Sequence, residues 1–242
     1  MRIWFFDFDG TLSPIVADRG AAELHPACAG MLKDLSRSPA DCVAIISSRD
    51  FEDILPRVPL DDVIIGGNSG MEWRLPGGCR LSLGADKGDI LQARREELLP
   101  LIEELGQLPG IEIEDKKWSI AIHVIKTDAG VMDNVAGTIS AWALRENIAV
   151  HRGPDVFEIQ LLPGFNKSVG ASFLAGKLAV DSQHDSIIYA GDDENDAIAM
   201  WWALMTGGRA IVIGSRVDVP GAMYVKDQQA LAEMVQQLRG NS

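Results

Sequence analysis

Ile3-Trp4-Phe5-Phe6-Asp7-Phe8-Asp9-Gly10-Thr11 is the stretch whose reading decides the fold. Four apolar residues run without a polar break and stop at a carboxylate, the pattern of a short strand buried on both faces of a parallel sheet. A second carboxylate follows at i+2, and Gly10 permits the immediate bend that lets both acids share one site.

The signature recurs along the chain. Val43-Ala44-Ile45-Ile46 ends at Ser47, Val63-Ile64-Ile65 at Gly66, Ile187-Ile188-Tyr189-Ala190 at Gly191, and Ala210-Ile211-Val212-Ile213 at Gly214. Longer amphipathic segments fit between them as helices over 26–36, 51–55, 167–178 and 195–204, with a last helix over 227–238. This alternation predicts an α/β fold with a Rossmann-like parallel-sheet core. Its ligand would sit at the carboxyl edge, where the polar and glycine strand ends collect.

The middle of the chain has another texture. A hairpin is expected over 71–75 and 80–83, turned by Pro76-Gly77-Gly78, then a helix over 89–106. Alternating runs over 111–115 and 119–125 read as half-exposed antiparallel strands. A helix over 130–147 and a second hairpin, 149–152 and 156–161 around Gly153-Pro154-Asp155, complete an inserted α+β module. Glycine and proline clusters place the boundaries so that 1–66 and 163–242 form the core and 67–162 the insertion.

The 242 residues carry 22 Lys and Arg against 35 Asp and Glu, a formal net charge of −13. That balance argues against a sequence-independent grip on nucleic acid, which needs clustered cations to replace counterions. At 47% apolar and 24% charged the composition is globular, with ample chain for a core. The apolar runs fall far short of the roughly 20 residues that span a bilayer, and Arg2 with the brief run to Asp7 makes no signal peptide. Cys28, Cys42 and Cys79 form no CxxC pair and suggest neither zinc nor a disulfide framework. We therefore expect a cytoplasmic protein without membrane or nucleic-acid partners, a monomer or weak dimer.

Chemistry concentrates at strand ends. In Asp7-Phe8-Asp9-Gly10-Thr11 one carboxylate can attack phosphorus while the other moves protons at the bridging oxygen; an acidic hydrogen-bonding turn is the simpler reading. Gly191-Asp192-Asp193-Glu194-Asn195-Asp196 packs four carboxylates into five positions, which calls for a hard cation and points to Mg²⁺, with Asp192 the expected ligand. Asn195 and Asp196 also suit the start of a helix, where they would share its capping. Ser47 offers a hydroxyl at a helix start able to hold phosphate oxygens, although Ser47-Ser48-Arg49-Asp50 is equally a capping sequence. Lys167 opens a helix, where a cation opposes the macrodipole; a solvated lysine is the simpler reading. Met200, Trp201 and Trp202 are read as core packing.

These segments, in this order, resemble the haloacid dehalogenase-like phosphohydrolase superfamily. The resemblance implies Asp7 as nucleophile, Asp9 as general acid then base, and Ser47 and Lys167 as phosphate binders. It also implies Mg²⁺ held by Asp7, the backbone carbonyl of Asp9, and Asp192, and it makes the insertion a cap. More narrowly, Asp7 to Val16, Ile113-Glu114-Asp115-Lys116-Lys117-Trp118-Ser119 followed by His123, Val156-Phe157-Glu158-Ile159, Asn166-Lys167 and Gly191-Asp192-Asp193 are similar to trehalose-6-phosphate phosphatases. That similarity implies that Lys116, His123 and Glu158 read the sugar; cross-strand pairing on an exposed sheet face is the competing reading for cap residues such as Lys116. The chain departs from the family at Ser48, Ser168, Lys126, Gln160 and Asn195-Asp196-Ala197. None of these touches the nucleophile. The expected activity is Mg²⁺-dependent hydrolysis of a phosphoric monoester, with trehalose 6-phosphate leading among sugar phosphates. Phosphatases of other glycoside or monosaccharide phosphates, a phosphomutase, and an idle binding regulator stand as alternatives.

Overall fold

The strand–helix alternation becomes, in a computed structural model of the chain, two sheets, one of eight strands and one of four. The structure describes residues 1–124, 127–146, 148, 150–153, 155–162, 164–181 and 184–240. Ile125, Lys126, Asn147, Ala149, Pro154 and Pro163, which carry readings at element ends, a turn, a family departure and the domain boundary, lie outside them. In chain order the strands are β1 (Arg2–Phe6), β2 (Asp41–Ile46), β3 (Ile64–Gly67), β4 (Glu72–Arg74), β5 (Arg80–Ser82), β6 (Glu112–Asp115), β7 (Ser119–His123), β8 (Val150–Arg152), β9 (Val156–Gln160), β10 (Ser186–Gly191), β11 (Arg209–Ile213) and β12 (Met223–Val225). The α-helices are α1 (Pro26–Ser36), α2 (Phe51–Ile54), α3 (Gly88–Gly106), α4 (Ala129–Glu146), α5 (Lys167–Lys177), α6 (Glu194–Met205) and α7 (Gln228–Gly240).

The chain divides into two compact units, residues 1–83 with 166–242, and residues 84–165. The first holds the sheet β12-β11-β10-β1-β2-β3-β4-β5, parallel from β12 to β3. β1 is central, and its residues from Ile3 to Phe6 are apolar and buried because both faces of the strand are covered. Trp4 and Phe6 join the core packed by α1 and α7, whereas Ile3 and Phe5 join the core packed by α5 and α6. Each such side chain contributes about 1.5–3 kcal/mol of burial free energy. Met200 is fully buried and Trp202 meets Phe5 edge-on at 5.9 Å, as core packing requires, but Trp201 faces solvent at 43% exposure.

Two features differ from the sequence reading. The hairpin expected at the start of the insertion continues the large sheet instead: β4 pairs antiparallel with β3, and β5 with β4. Gly66 makes this possible, since a Cβ there would meet the Trp73 ring at 2.6 Å. β12, only three residues long, has no counterpart in the sequence reading.

The second unit contains the antiparallel sheet β6-β7-β9-β8. Ile120, Ile122, Phe157 and Ile159 alternate along β7 and β9 and are buried. The opposite face carries Glu114, Ser119, His123, Glu158 and Gln160, following the strict alternation of strand side chains.

Candidate active site

β1, β2 and β10 end side by side, so Asp7, Ser47 and Asp192 meet at one sheet edge. Three glycine-dependent approaches close the gap between loops. Gly10 has φ +88°, and a Cβ there would stand 2.2 Å from Asp192 Oδ2. Gly191 leaves room for Asp196 in the same way. Gly170, on the first turn of α5, lies against Gly70. Gly10→Ala is therefore expected to lower stability by roughly 2 kcal/mol or more, from left-handed strain plus the clash. Urea unfolding measures the loss.

Lys167, expected at a helix start, is 2% exposed and lies at N1 of α5, with Asn166 capping that helix. Its Nζ donates to Asp7 Oδ1 at 2.6 Å and to Asp196 Oδ1 at 2.7 Å. Asp196 also accepts from Tyr189 OH at 2.9 Å and, through Oδ2, from the Asp192 backbone N–H at 3.2 Å. Burial raises the Asp7 pKa well above the usual carboxylate range, reinforced by the Asp196 charge and opposed by Lys167. Asp192 is pushed up to about 7, chiefly by burial and then by Asp196. Asp196 is pushed to about 6 by burial, with Lys167 pulling the other way. Burial works against the charge on Lys167, yet Asp196 and Asp7 outweigh it and hold its pKa well above the ordinary value.

The acidic loop divides its labour differently from the sequence reading. Asp193 is the N-cap of α6, accepting from the backbone N–H groups of Asn195 and Asp196, and Asp196 closes the capping box. The Asn195 side chain does not cap: its Oδ1 is buried and has no hydrogen-bond partner among the described residues. Ser47 does not open a helix either. Its Oγ accepts from the Arg49 N–H at 3.1 Å, and Asp50 caps α2.

Asp9 is less enclosed, with a side chain 35% exposed. Arg49, itself only 3% exposed, grips both its oxygens, Nε to Oδ2 at 2.7 Å and Nη2 to Oδ1 at 2.6 Å. Arg49 also donates to Asp53 Oδ2 at 2.7 Å, which anchors the fork. The sequence reading missed Arg49, whose signal is its place two residues beyond the strand-terminal Ser47. It also missed Arg216, two residues beyond the Gly214 strand end, whose Nη1 reaches Asp192 Oδ2 at 3.3 Å. Gln228, at the start of α7, donates to the Gly10 carbonyl at 2.8 Å and holds the bend.

Carboxylate oxygens of Asp7, Asp192 and Asp196 lie within 4.8 Å of one another. Asp192 Oδ1 is buried and has no hydrogen-bond partner among the described residues. A hard divalent cation bound by oxygen fits that atom and the surplus of negative charge. Asp196, occupied by Lys167, Tyr189 and backbone N–H groups, suits a supporting place better than a ligand's.

In the second unit Lys116 is buried, with Nζ 3.6 Å from Glu158 Oε2 and no hydrogen-bond partner among the described residues. Ser119 Oγ donates to Glu158 Oε1 at 2.7 Å. The structure thus brings Lys116 and Glu158 together, while His123 pairs with Glu114 at 2.9 Å. Lys116 and Ser119 are buried, whereas Glu114 is exposed.

The model of the trehalose-phosphatase family matches residues 5–215, a span that contains both carboxylate loops and Lys167. The chain belongs to that family. Trehalose-phosphate phosphatase of Mycobacterium bovis is 31% identical over 194 residues, 79% of this chain and 49% of its own. The Mycobacterium ulcerans protein of the same name is 31% identical over 216 residues, 88% of this chain and 54% of its own. The chain thus spans about half the length of the curated relatives it matches. In fold it is similar to the C-terminal domain of C. albicans trehalose-6-phosphate phosphatase, with TM-score 0.83, 20% identity and coverage of 100% and 93%. A haloacid dehalogenase-like hydrolase from Bacteroides thetaiotaomicron shares the fold at TM-score 0.70 and 16% identity, with coverage of 98% and 99%. No helix among the described residues is long and apolar enough to cross a membrane.

Proposed function

We propose that the protein hydrolyses trehalose 6-phosphate to trehalose and phosphate through a phosphorylated Asp7, serving trehalose biosynthesis in the cytoplasm. The observation that carries the reading is the buried Lys167, bridging Asp7 and Asp196 beside the unpartnered Asp192 oxygen. Lys167 aims the Asp7 carboxylate and presents a positive charge to the transferring phosphoryl group. Asp7 attacks phosphorus, forming a P–O bond as the bond to the sugar oxygen breaks, and Asp9 delivers a proton to that oxygen. Water then attacks the phosphoryl group and gives a proton to Asp9, while the P–O bond to Asp7 breaks, releasing phosphate and restoring the Asp7 carboxylate. The Arg49 fork occupies one direction at each Asp9 oxygen, which leaves further lone pairs for proton transfer. Ser47 supports the phosphate oxygens. Asp7, Asp192 and the Asp9 carbonyl would hold Mg²⁺, which supplies charge to offset the phosphoryl oxygens. Lys116, His123 and Glu158 are assigned to the sugar.

Phosphate release across a panel of trehalose 6-phosphate, glucose 6-phosphate, and glucosyl- and mannosyl-phosphoglycerates tests the substrate. We expect kcat/KM for trehalose 6-phosphate to exceed the others by about 100-fold or more, because unpaired polar groups reject a mismatched sugar. Equal values would remove the assignment to trehalose. An isomer without free phosphate would favour a mutase.

The carboxylate cluster also gives a prediction that needs no turnover. With Asp192 at about 7 and Asp196 at about 6, against an ordinary 3.8, the folded protein keeps protons that the unfolded chain has released. Stability of the ion-free protein therefore falls as pH rises between those values, then levels off. Binding of Mg²⁺ requires the released state. The rise in Tm on adding Mg²⁺ should be larger at about pH 8 than at about pH 5.5. Equal rises would contradict this account of the cluster.

A further inference from the structure

After β3 the chain passes through three left-handed residues in succession, Asn68, Ser69 and Gly70, at φ 51°, 59° and 89°. Glycine adopts that backbone freely and asparagine tolerates it, whereas a serine there is strained. Such strain persists where the surroundings fix it, and it collects at functional sites. A turn that only joined β3 to β4 would lie at the surface and bond within its own hairpin. This one is buried, Asn68 at 5% and Ser69 at 2% exposure, and two of its amides bond outside the hairpin. The Asn68 N–H donates to the Arg49 carbonyl at 2.7 Å, and the Ser69 N–H to the Ser47 carbonyl at 2.8 Å. The turn therefore grips the loop that delivers the Ser47 hydroxyl and the Arg49 fork. Its other side bears on α5. A Cβ on Gly170 would stand 2.4 Å from the Ser69 carbonyl oxygen and 2.8 Å from Gly70 Cα, so the two backbones are in contact. Lys167 lies one turn earlier on the same helix.

On the reading of Ser47 and Lys167 as phosphate binders, we propose that the Asn68–Gly70 turn is a wedge that sets their separation. Peptide units of a helical turn align, so successive left-handed residues send their amides to one side and their carbonyls to the other. That arrangement lets one short segment hold the Ser47 loop with its N–H groups and meet α5 with the Ser69 carbonyl. A phosphoryl group gripped from two segments needs their spacing kept to about 0.5 Å. A stop made of backbone against backbone keeps it more firmly than long side chains do. The turn is a positioning element: Ser69 acts through Ser47 and Lys167.

Isothermal titration of the Mg²⁺-loaded protein with inorganic phosphate tests the wedge, with kcat on trehalose 6-phosphate as a second readout. Gly170→Ala drives a Cβ into the turn, whereas Gly176→Ala makes the same change at an exposed place on α5 with open space around it. We expect Gly170→Ala to weaken phosphate binding at least about tenfold and to lower kcat by about 10–100-fold. Gly176→Ala should match the parent. Ser69→Gly keeps the left-handed path and should match it too. A packing role alone would lower the unfolding midpoint of Gly170→Ala and move neither phosphate affinity nor kcat. Circular dichroism checks the fold. Should Gly170→Ala not fold, Ser69→Thr, whose branched Cβ resists the left-handed path, carries the same expectation. Parent-like phosphate affinity in the folded variant, or an equal loss in Gly176→Ala or Ser69→Gly, would overturn the wedge and leave the phosphatase reading standing. A parent that binds no phosphate would overturn the roles of Ser47 and Lys167, and the wedge with them.

Discussion

Asp7→Asn is expected to lower phosphate release from every phosphate ester by on the order of 10⁴-fold or more while leaving the protein folded. The substitution keeps the shape of a side chain that is 3% exposed and keeps an oxygen to accept from Lys167 Nζ. What it removes is the anionic oxygen able to form a bond to phosphorus. Two effects on stability oppose each other. A carboxylate held above its usual range by burial disappears, which favours the folded state, while Lys167 loses one of its two counter-charges. The net change should stay within about 2 kcal/mol. Circular dichroism and urea unfolding check the fold, and phosphate release checks the chemistry. A well-folded variant with full activity would remove Asp7 from the mechanism.

Lys167→Ala should damage both stability and rate. Lys167 stands 2.6 Å from Asp7 and 2.7 Å from Asp196, and its side chain is 2% exposed. Removing it leaves two buried carboxylates facing each other with their shared cation gone. Breaking a buried pair in this way costs about 3–5 kcal/mol. The loss should be largest near neutral pH and smaller in acid, where Asp196, at about 6 even with Lys167 present, takes up a proton. Turnover should fall by about 10²–10³-fold through the lost positive charge beside the phosphoryl group. Denaturant midpoints at two pH values and kcat measure these effects. A variant as stable as the parent at neutral pH would show that Lys167 does not hold the cluster together.

Much of this arrangement was legible before any coordinates. The unbroken apolar run of β1 requires cover on both faces, and the core clusters on either side of Trp4 and Phe5 supply it. Strand ends marked by Asp7, Ser47 and Gly191 converge because parallel strands share a carboxyl edge. Lys167 stood out because a cation at a helix start opposes the macrodipole, and its two carboxylates explain why it is there. Partnerships across the sheet were not legible. Arg49 and Asp9 lie 40 positions apart, and nothing in either segment states that one guanidinium will take both oxygens. Arg216 reaches Asp192 from a loop whose path depends on β11 and β12. The capping of α6 by Asp193 was hidden by redundancy, since several residues of the acidic loop were suitable and only the backbone path selects one. The hairpin of β4 and β5, read as part of the insertion, extends the large sheet, where Trp73 packs across Gly66, a contact that no periodicity records.

The net charge of −13 is likewise sharpened by the structure. Part of it is a buried cluster, Asp7, Asp192 and Asp196, whose raised pKa values express a demand for positive charge that Lys167 meets only in part. On the proposed reading, a divalent cation would oversupply that demand and admit the anion that the global charge would repel.

Rapid acid quench of the Mg²⁺-loaded protein with trehalose 6-phosphate, followed by peptide mass spectrometry, tests the central claim most directly. The account expects one transient phosphoryl adduct, on the peptide containing Asp7, that forms before phosphate appears and is absent from Asp7→Asn. Rapid phosphate release with no adduct at any time, or an adduct on another residue, would contradict it.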